Sequence, residues 1–162
     1  MRKIAIILPG DKLPLPSVKG GAVESLVQCL LDYNEKYHTY NFVVFSVYNE
    51  EAALKSRSYK HTDFKYINTD SLNYKLKQVF RWIYNRFFPY IGNQFINSVM
   101  NGMDTDYDYV LIENAPWFVI PLKRKMNMSM VQHLHNNYLG ITSSFNQQII
   151  DNSDFAVSYT HL

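Results

Sequence analysis

Two histidines, His133 and His135, alternate along a predicted β-strand, so their side chains share one of its faces. Two imidazoles at this spacing can bind a metal ion, but the sequence indicates no third ligand, and we predict no metal site. A histidine at a strand end can also act as an acid, or hydrogen-bond a substrate hydroxyl or a developing charge. The structural alternative is that both histidines are satisfied by backbone groups.

An acid and an amide, Glu113 and Asn114, follow another predicted strand and precede Pro116 and Trp117. A carboxylate and an amide suit the hydroxyl groups of a sugar, and an indole ring can stack on a sugar face. The structural alternative is the start of a helix that carries an exposed acid. The spacing leaves both interpretations open.

Adjacent glycines, Gly20 and Gly21, stand between a Pro-rich loop and a predicted helix. Glycine lets the backbone approach a ligand, and a helix N-terminus offers unpaired N–H groups and a partial positive charge. Together these features favour a phosphate site, although a simple turn into the helix would also need them. Neither the GxGxxG pattern of dinucleotide-binding folds nor the GxxxxGK[ST] pattern of NTPases is present.

The elements that would position these residues alternate between strand and helix along the chain. Predicted strands cover 3–8, 41–47, 63–67, 107–112, 129–134 and the segment from 155, and predicted helices cover 22–37, 50–55, 71–88, 93–100, 118–126 and 141–150. This order predicts an α/β fold, a doubly wound, mostly parallel Rossmann-like sheet. Ligands of such sheets bind at the carboxyl ends of the strands, where all the candidate residues lie.

The predicted helix 71–88 has a second feature that could bind a partner. Lys75, Trp82 and Arg86 share a stripe with Gln78 and Asn85. The opposite stripe is apolar and consists of Leu76, Val79, Phe80, Ile83 and Phe87. We therefore predict that the cationic stripe faces outward. A Trp among cations suits a membrane surface with anionic lipids, and residues 123–125 add a second basic cluster. The structural alternative is a solvated helix face.

The composition limits the remaining classes of function. The chain has 162 residues, is 47% hydrophobic and carries a formal charge of +2, so a single domain is expected and no nucleic-acid partner is indicated. Its one cysteine, Cys29, excludes an internal disulfide and is expected to pack on the apolar face of its helix. No window reaches about 18 apolar residues, so we expect a cytoplasmic chain, peripheral to a membrane at most.

Four segments in order, KIAIILPG, PSVKGGAVESLV, VLIENAPWFV and MVQHLHNNYL, give the chain a family resemblance. The chain resembles the N-terminal half of family 4 glycosyltransferases of GT-B fold, and most of all the bacterial members that build capsular, exopolysaccharide or lipopolysaccharide chains. The resemblance covers about residues 1–158. It implies that an acceptor-side Rossmann-like domain faces a separate donor domain, and that residues 159–162 are a non-native or truncated tail.

The resemblance also implies roles for particular residues. Gly20 and Gly21 would approach the donor diphosphate, and His135 would be the catalytic histidine near the transferred sugar, with His133 the less favoured match. The acceptor cleft would be lined by Glu113, Asn114, His133 and Asn136. The donor would be a UDP- or GDP-linked sugar, transfer would retain the anomeric configuration, and no metal or other cofactor would be needed.

The expected function is therefore transfer of a sugar from a nucleotide-sugar to a glycan or lipid-linked acceptor in surface polysaccharide synthesis. The pair of glutamates of the family's donor domain has no counterpart here, so we expect these residues to be inactive without a C-terminal domain. The alternative is a non-catalytic α/β module that binds an anion or a glycan. A nucleotide-sugar epimerase or reductase is disfavoured by the missing dinucleotide pattern.

Overall fold

The computed structural model describes residues 1–10, 13–18, 20–136, 139 and 143–158. Its strands are β1 (Arg2–Ile7), β2 (Tyr40–Val47), β3 (Thr62–Ile67), β4 (Tyr109–Glu113), β5 (Ser129–Leu134) and β6 (Phe155–Ser158). Its helices are α1 (Ala22–Tyr37), α2 (Glu50–Lys55), α3 (Leu72–Phe87), α4 (Gln94–Gly102), α5 (Val119–Lys125) and α6 (Ser144–Asp151). Short 3-10 turns cover Ser56–Ser58 and Pro116–Phe118. The proposed tail, residues 159–162, lies outside the described residues.

All six strands are parallel and lie in the order β3-β2-β1-β4-β5-β6. The chain moves outward from β1 in one direction and then returns to start again at β4, so β1 and β4 flank the topological switch point. The predicted doubly wound, Rossmann-like sheet is confirmed. Because the strands are parallel, the loops after β1, β4 and β5 all leave from the same edge.

The core consists of one layer on each face of the sheet. On one face, α1 packs Val27 and Leu31 against Ile6 and Val44 of the central strands. On the other face, α4, α5 and α6 bury a larger apolar cluster that includes Ile7, Phe45, Phe95, Val99, Ile112, Phe118, Leu122, Met130 and Ile149. Helices on both faces explain why β1 and β2 are almost continuous runs of apolar residues.

Most predicted boundaries agree with the structure to within a few residues. The bounds of α1, α2 and β5 are as predicted. The segment predicted as a helix over 118–126 instead begins with a 3-10 turn, because Pro116 starts a tight turn before α5. The helix predicted from 141 begins at Ser144, where the hydroxyl of Ser143 caps it by accepting from the N–H of Asn146. Residues 141 and 142 lie outside the described residues.

Helix α3 is oriented differently from the prediction. Its inward side is polar: Gln78 Oε1 accepts from the N–H of Gln94 at 2.7 Å, and Arg81 Nε donates to Gln94 Oε1 at 3.2 Å. Asn85 Oδ1 accepts from the N–H of Ile91 at 2.9 Å. Gln78 and Asn85 therefore do not belong to the outward stripe. The physical reason is that backbone groups of the following segment need partners, and these side chains supply them.

The apolar side of α3 points into solvent, and no residue of the helix is buried. The exposed large side chains of α3 and of Phe88, the residue after it, are those of Leu72, Leu76, Val79, Phe80, Trp82, Ile83, Tyr84, Phe87 and Phe88, with Phe80 at 72% and Phe87 at 73%. Lys75, Trp82 and Arg86 are exposed as predicted. Within the described part of the chain, no helix combines the length and the hydrophobicity needed to cross a bilayer.

The second basic cluster is used within the fold. Lys123 Nζ donates to Asp154 Oδ2 at 2.7 Å, Arg124 donates to the carbonyl of Tyr90 at 2.7 Å, and Lys125 Nζ donates to the carbonyl of Met100 at 3.1 Å. Each cation thus stabilises a neighbouring segment of backbone or an acid, while Arg124 and Lys125 remain exposed. A contribution of this cluster to membrane binding stays a prediction.

Candidate functional site

The candidate site lies at the carboxyl edge of the sheet, at the ends of β4 and β5, and the loop after β1 leaves from the same edge. Glu113 is the last residue of β4, and it is the register partner of His133 on β5. Leu111 and Val131 are paired two residues earlier on the two strands and lie on the same face. The alternation of a parallel pair thus places the acid and the histidine side by side.

One carboxylate contacts two imidazoles. His133 Nδ1 lies 2.8 Å from Oε2 and 3.0 Å from Oε1 of Glu113, and His135 Nε2 lies 3.1 Å from Oε2. Glu113 is 1% exposed, whereas the histidine side chains are 14% and 17% exposed. Because a carboxylate only accepts, these ring nitrogens donate to it. We call Glu113, His133 and His135 the Glu113 cluster.

The turn after β4 holds the cluster in place. Asn114 has a left-handed backbone with φ of 50°, its N–H donates to the carbonyl of His133 at 2.8 Å, and its Oδ1 accepts from the N–H of His135 at 3.2 Å. The predicted cleft amide therefore anchors the backbone of β5. Asn136 follows His135 and is exposed. Trp117 is half-buried and packs against the core beside Phe118.

The loop after β1 reaches the same edge and is fastened to three elements. The N–H of Leu15 donates to Ser46 Oγ of β2 at 2.9 Å, and the carbonyl of Leu15 accepts from Tyr66 Oη of β3 at 3.0 Å. The N–H of Ser17 donates to Gln28 Oε1 of α1 at 2.7 Å. These bonds fix the approach of the chain to the glycines.

Both glycines have backbone conformations that favour glycine. Gly20 has φ of 78° and Gly21 φ of 132°, and Gly21 caps α1 without a side-chain hydrogen bond. A methyl group at Gly20 would meet open space, whereas one at Gly21 would overlap the carboxylate of Glu24 and the side chain of Leu13. The loop therefore offers a ligand room at Gly20 and none at Gly21.

Sequence reasoning missed the acid Glu24 and one role of Glu113. Glu24 lies in the first turn of α1, is 4% exposed and brings a negative charge to the predicted phosphate site. The available signal for Glu24 was its place in the first turn of the predicted helix, where an acid is favoured. Glu113 was named for the cleft but not as the partner of both histidines. Its position two residues after Leu111 on a strand was the available signal, because alternation puts both on one face.

An apolar groove of about 510 Å³ opens beside the cluster, between α1 and the adjacent face of β4, β5 and β6. Glu113 and His133 line it together with Leu26, Val27, Cys29, Leu30, Tyr33, Leu111, Val131 and Val157. Cys29 lines this groove beside Leu26 and Leu30, so it lies on an apolar side of α1, but it is exposed and the expected packing was wrong.

A scan against protein-family models gave no match, and a search of the curated proteins gave none either. Among solved structures, the chain is similar to the N-terminal domain of Candida albicans trehalose-6-phosphate phosphatase, with a TM-score of 0.48 and 12% identity. The similarity covers 96% of this chain and 40% of that one. The described chain thus spans well under half the length of the protein that it matches.

Proposed function

We propose that this chain is the N-terminal, acceptor-side domain of a retaining glycosyltransferase that moves a sugar from a UDP- or GDP-linked donor to a glycan or lipid-linked acceptor. The observation that carries the proposal is that the Glu113 cluster lies beside the switch point of the sheet, at the carboxyl edge from which the glycine loop also leaves. Ligands of doubly wound sheets bind at this point. The sequence resemblance supplies the reaction.

In this proposal, His135 contacts the transferred sugar. Its Nε2 is directed at Glu113, so a hydrogen bond to a sugar hydroxyl would fall to Nδ1. Glu113 acts as a positioning residue, because it fixes the orientation of the ring. Transfer would then depend on holding the reactants together and on stabilising the charge of the leaving diphosphate.

The glycine loop would approach the diphosphate through Gly20, where the backbone is open to a ligand. Glu24 opposes an anion at the start of α1, so the donor phosphates must lie to the Gly20 side of that carboxylate. A donor domain across the cleft would supply the remaining charge. The chain alone is therefore expected to bind a donor weakly.

We further propose that the protein works at the inner face of the plasma membrane, with α3 lying on anionic lipid. The support is the orientation of α3, which directs Gln78, Arg81 and Asn85 at the domain and its aromatic and aliphatic side chains outward. The helix carries four cationic residues and no acidic one. A helix with an exposed apolar face and flanking cations is typical of interfacial helices, and it suits a lipid-linked acceptor.

Amide NMR of the isotopically labelled chain tests the catalytic proposal. UDP-glucose and GDP-mannose are titrated in turn, with UDP, GDP and inorganic phosphate as partial ligands. One nucleotide-sugar is expected to shift the signals of Gly20, Gly21 and His135 together. His135→Ala should lose the part of the response that depends on the sugar and keep the response to the nucleotide.

The matched control is His61→Ala. His61 contacts His38 with ring centroids 3.7 Å apart, at the opposite edge of the sheet, and its loss should leave the titration unchanged. Equal responses to inorganic phosphate and to nucleotide-sugars would support the anion-binding module instead. The absence of any response at the carboxyl edge would overturn the proposal.

A further inference from the structure

We propose that the Glu113 cluster binds one divalent transition-metal ion, with zinc the best match, through Glu113 Oε2, His133 Nδ1 and His135 Nε2. The three ligand atoms all lie within 4.8 Å of one another. The family resemblance implies transfer without a metal, so this site goes beyond the proposed function and does not depend on it.

The fold holds two of the three ligands on strands of the sheet. Glu113 and His133 are register partners on β4 and β5, and His135 directly follows β5 and contacts the same carboxylate. Two hydrogen bonds of Asn114, one from its backbone N–H to the carbonyl of His133 and one accepted by its Oδ1 from the N–H of His135, tie the ends of these strands together. A metal ion would therefore meet ligands that are already assembled, which lowers the conformational entropy lost on binding.

The donor set and its spacing fit a transition metal. Two imidazole nitrogens and one carboxylate oxygen form a common zinc set, and bond lengths of about 2.0–2.2 Å place tetrahedral ligand atoms about 3.4 Å apart. The two measured separations from Glu113 Oε2 are 2.8 and 3.1 Å. Small side-chain rotations would bring these atoms to the spacing of a tetrahedral site. Each ring hydrogen that now points at the carboxylate would move to the other nitrogen of its ring, so no net proton is lost.

The surroundings leave room for a further ligand on the ion. Three protein ligands leave a fourth tetrahedral position, which water or an oxygen of a bound molecule fills in catalytic zinc sites. Glu113 and His133 both line the groove of about 510 Å³ between α1 and the sheet. A phosphate or hydroxyl oxygen could therefore reach the ion from that side.

Cobalt(II) titration of the tag-free, EDTA-treated chain tests the site, because Co²⁺ occupies zinc sites and its visible spectrum reports coordination. One equivalent of Co²⁺ should bind with a spectrum typical of four ligands, and Zn²⁺ should displace it. His133→Ala and Glu113→Gln should each lower the affinity by about a hundredfold, since each removes a ligand. His61→Ala, which breaks the other close histidine pair, should bind as the wild type does.

A second measurement covers the case in which a cluster variant fails to fold. In the wild-type chain, Zn²⁺ should shift the ring signals of His133 and His135 and leave those of His38 and His61 in place. An equal shift at all four rings, or no cobalt spectrum at equimolar metal, would overturn the proposal. Because only the metal is added, this outcome is independent of whether nucleotide-sugars bind.

Discussion

Glu113 and His133 occupy paired positions on β4 and β5, and the imidazole Nδ1 of His133 lies 2.8 Å from Oε2 of the buried carboxylate. His135, the first residue after β5, contacts the same oxygen. A single acid thus sets the orientation of both rings at the edge of the sheet. A substitution of Glu113 should therefore affect His133 and His135 together.

Replacing that acid should destabilise the protein. Glu113→Gln substitutes an amide for a carboxylate that accepts from two rings, and hydrogen bonds to a charged group contribute about 2 kcal/mol. We expect the free energy of unfolding to fall by about that amount in urea titrations with EDTA present. The control is Glu51→Gln, whose pair with Lys55 is exposed and should contribute under about 0.5 kcal/mol. If both substitutions lowered the free energy of unfolding equally, the buried carboxylate would not contribute more to stability than an exposed one.

The two glycines before α1 should tolerate alanine differently. Gly20→Ala meets open space but must adopt a φ of 78°, which costs about 1–2 kcal/mol. Gly21→Ala adds overlap with Glu24 and Leu13, so its loss of stability should be larger by about 1 kcal/mol or more.

Gly102→Ala is the matched control for these glycines. It lies at the end of α4, and an added methyl group would only touch Phe45 at 3.9 Å. Thermal unfolding should rank the three variants in stability as Gly102→Ala, Gly20→Ala and Gly21→Ala. A Gly21→Ala variant as stable as Gly20→Ala would contradict the tight fit at the start of α1.

Asp154 should make stability depend on pH. Its Oδ2 accepts from Lys123 Nζ and from the N–H of Met130, both at 2.7 Å, and the Lys123 ammonium lowers the pKa of Asp154 below its usual range. A depressed pKa gives stability that is present above the unfolded-state value of about 3.9 and is lost as the pH falls through the folded value.

Asp154→Asn should therefore lower the free energy of unfolding at pH 7 by about 1 kcal/mol, because the pair is partly exposed. The difference from wild type should shrink below about pH 4. Urea midpoints of both proteins, measured from pH 7 to below pH 4, test whether the difference in stability shrinks on acidification. A difference that grows on acidification would contradict the assignment.

Helix α3 should bind anionic vesicles through its outward aromatic side chains. Phe80→Ser and Phe87→Ser should each weaken co-sedimentation with phosphatidylglycerol vesicles about tenfold, since each removes a large apolar side chain from the interface. Replacing Lys75, Trp82 and Arg86 with Ser should weaken it further. The control is Leu54→Ser, which removes an exposed apolar side chain from α2 instead. Binding that survives the α3 changes would refute the membrane proposal.

The order of elements was predictable because apolar runs with β-branched residues alternate with helical spacing, as in 41–47 and 22–37. The contact between Glu113 and both histidines was not predictable, since it depends on the register of β4 and β5, which no short pattern specifies. The orientation of α3 was wrong for another reason. Hydrophobic periodicity assumes that the apolar side packs inward, whereas here backbone groups near Ile91 and Gln94 select the polar side.

The attachment of α3 has a consequence for how the molecule opens. Its contacts with the domain are hydrogen bonds through Gln78, Arg81 and Asn85, with Tyr74 half-buried at one end, and none of its residues is buried. Segments with little buried apolar surface open locally at far lower free energy than the global transition. Amide hydrogens of α3 should therefore exchange well before those of β1 and β4, and the helix could move without disturbing the strands that carry the Glu113 cluster.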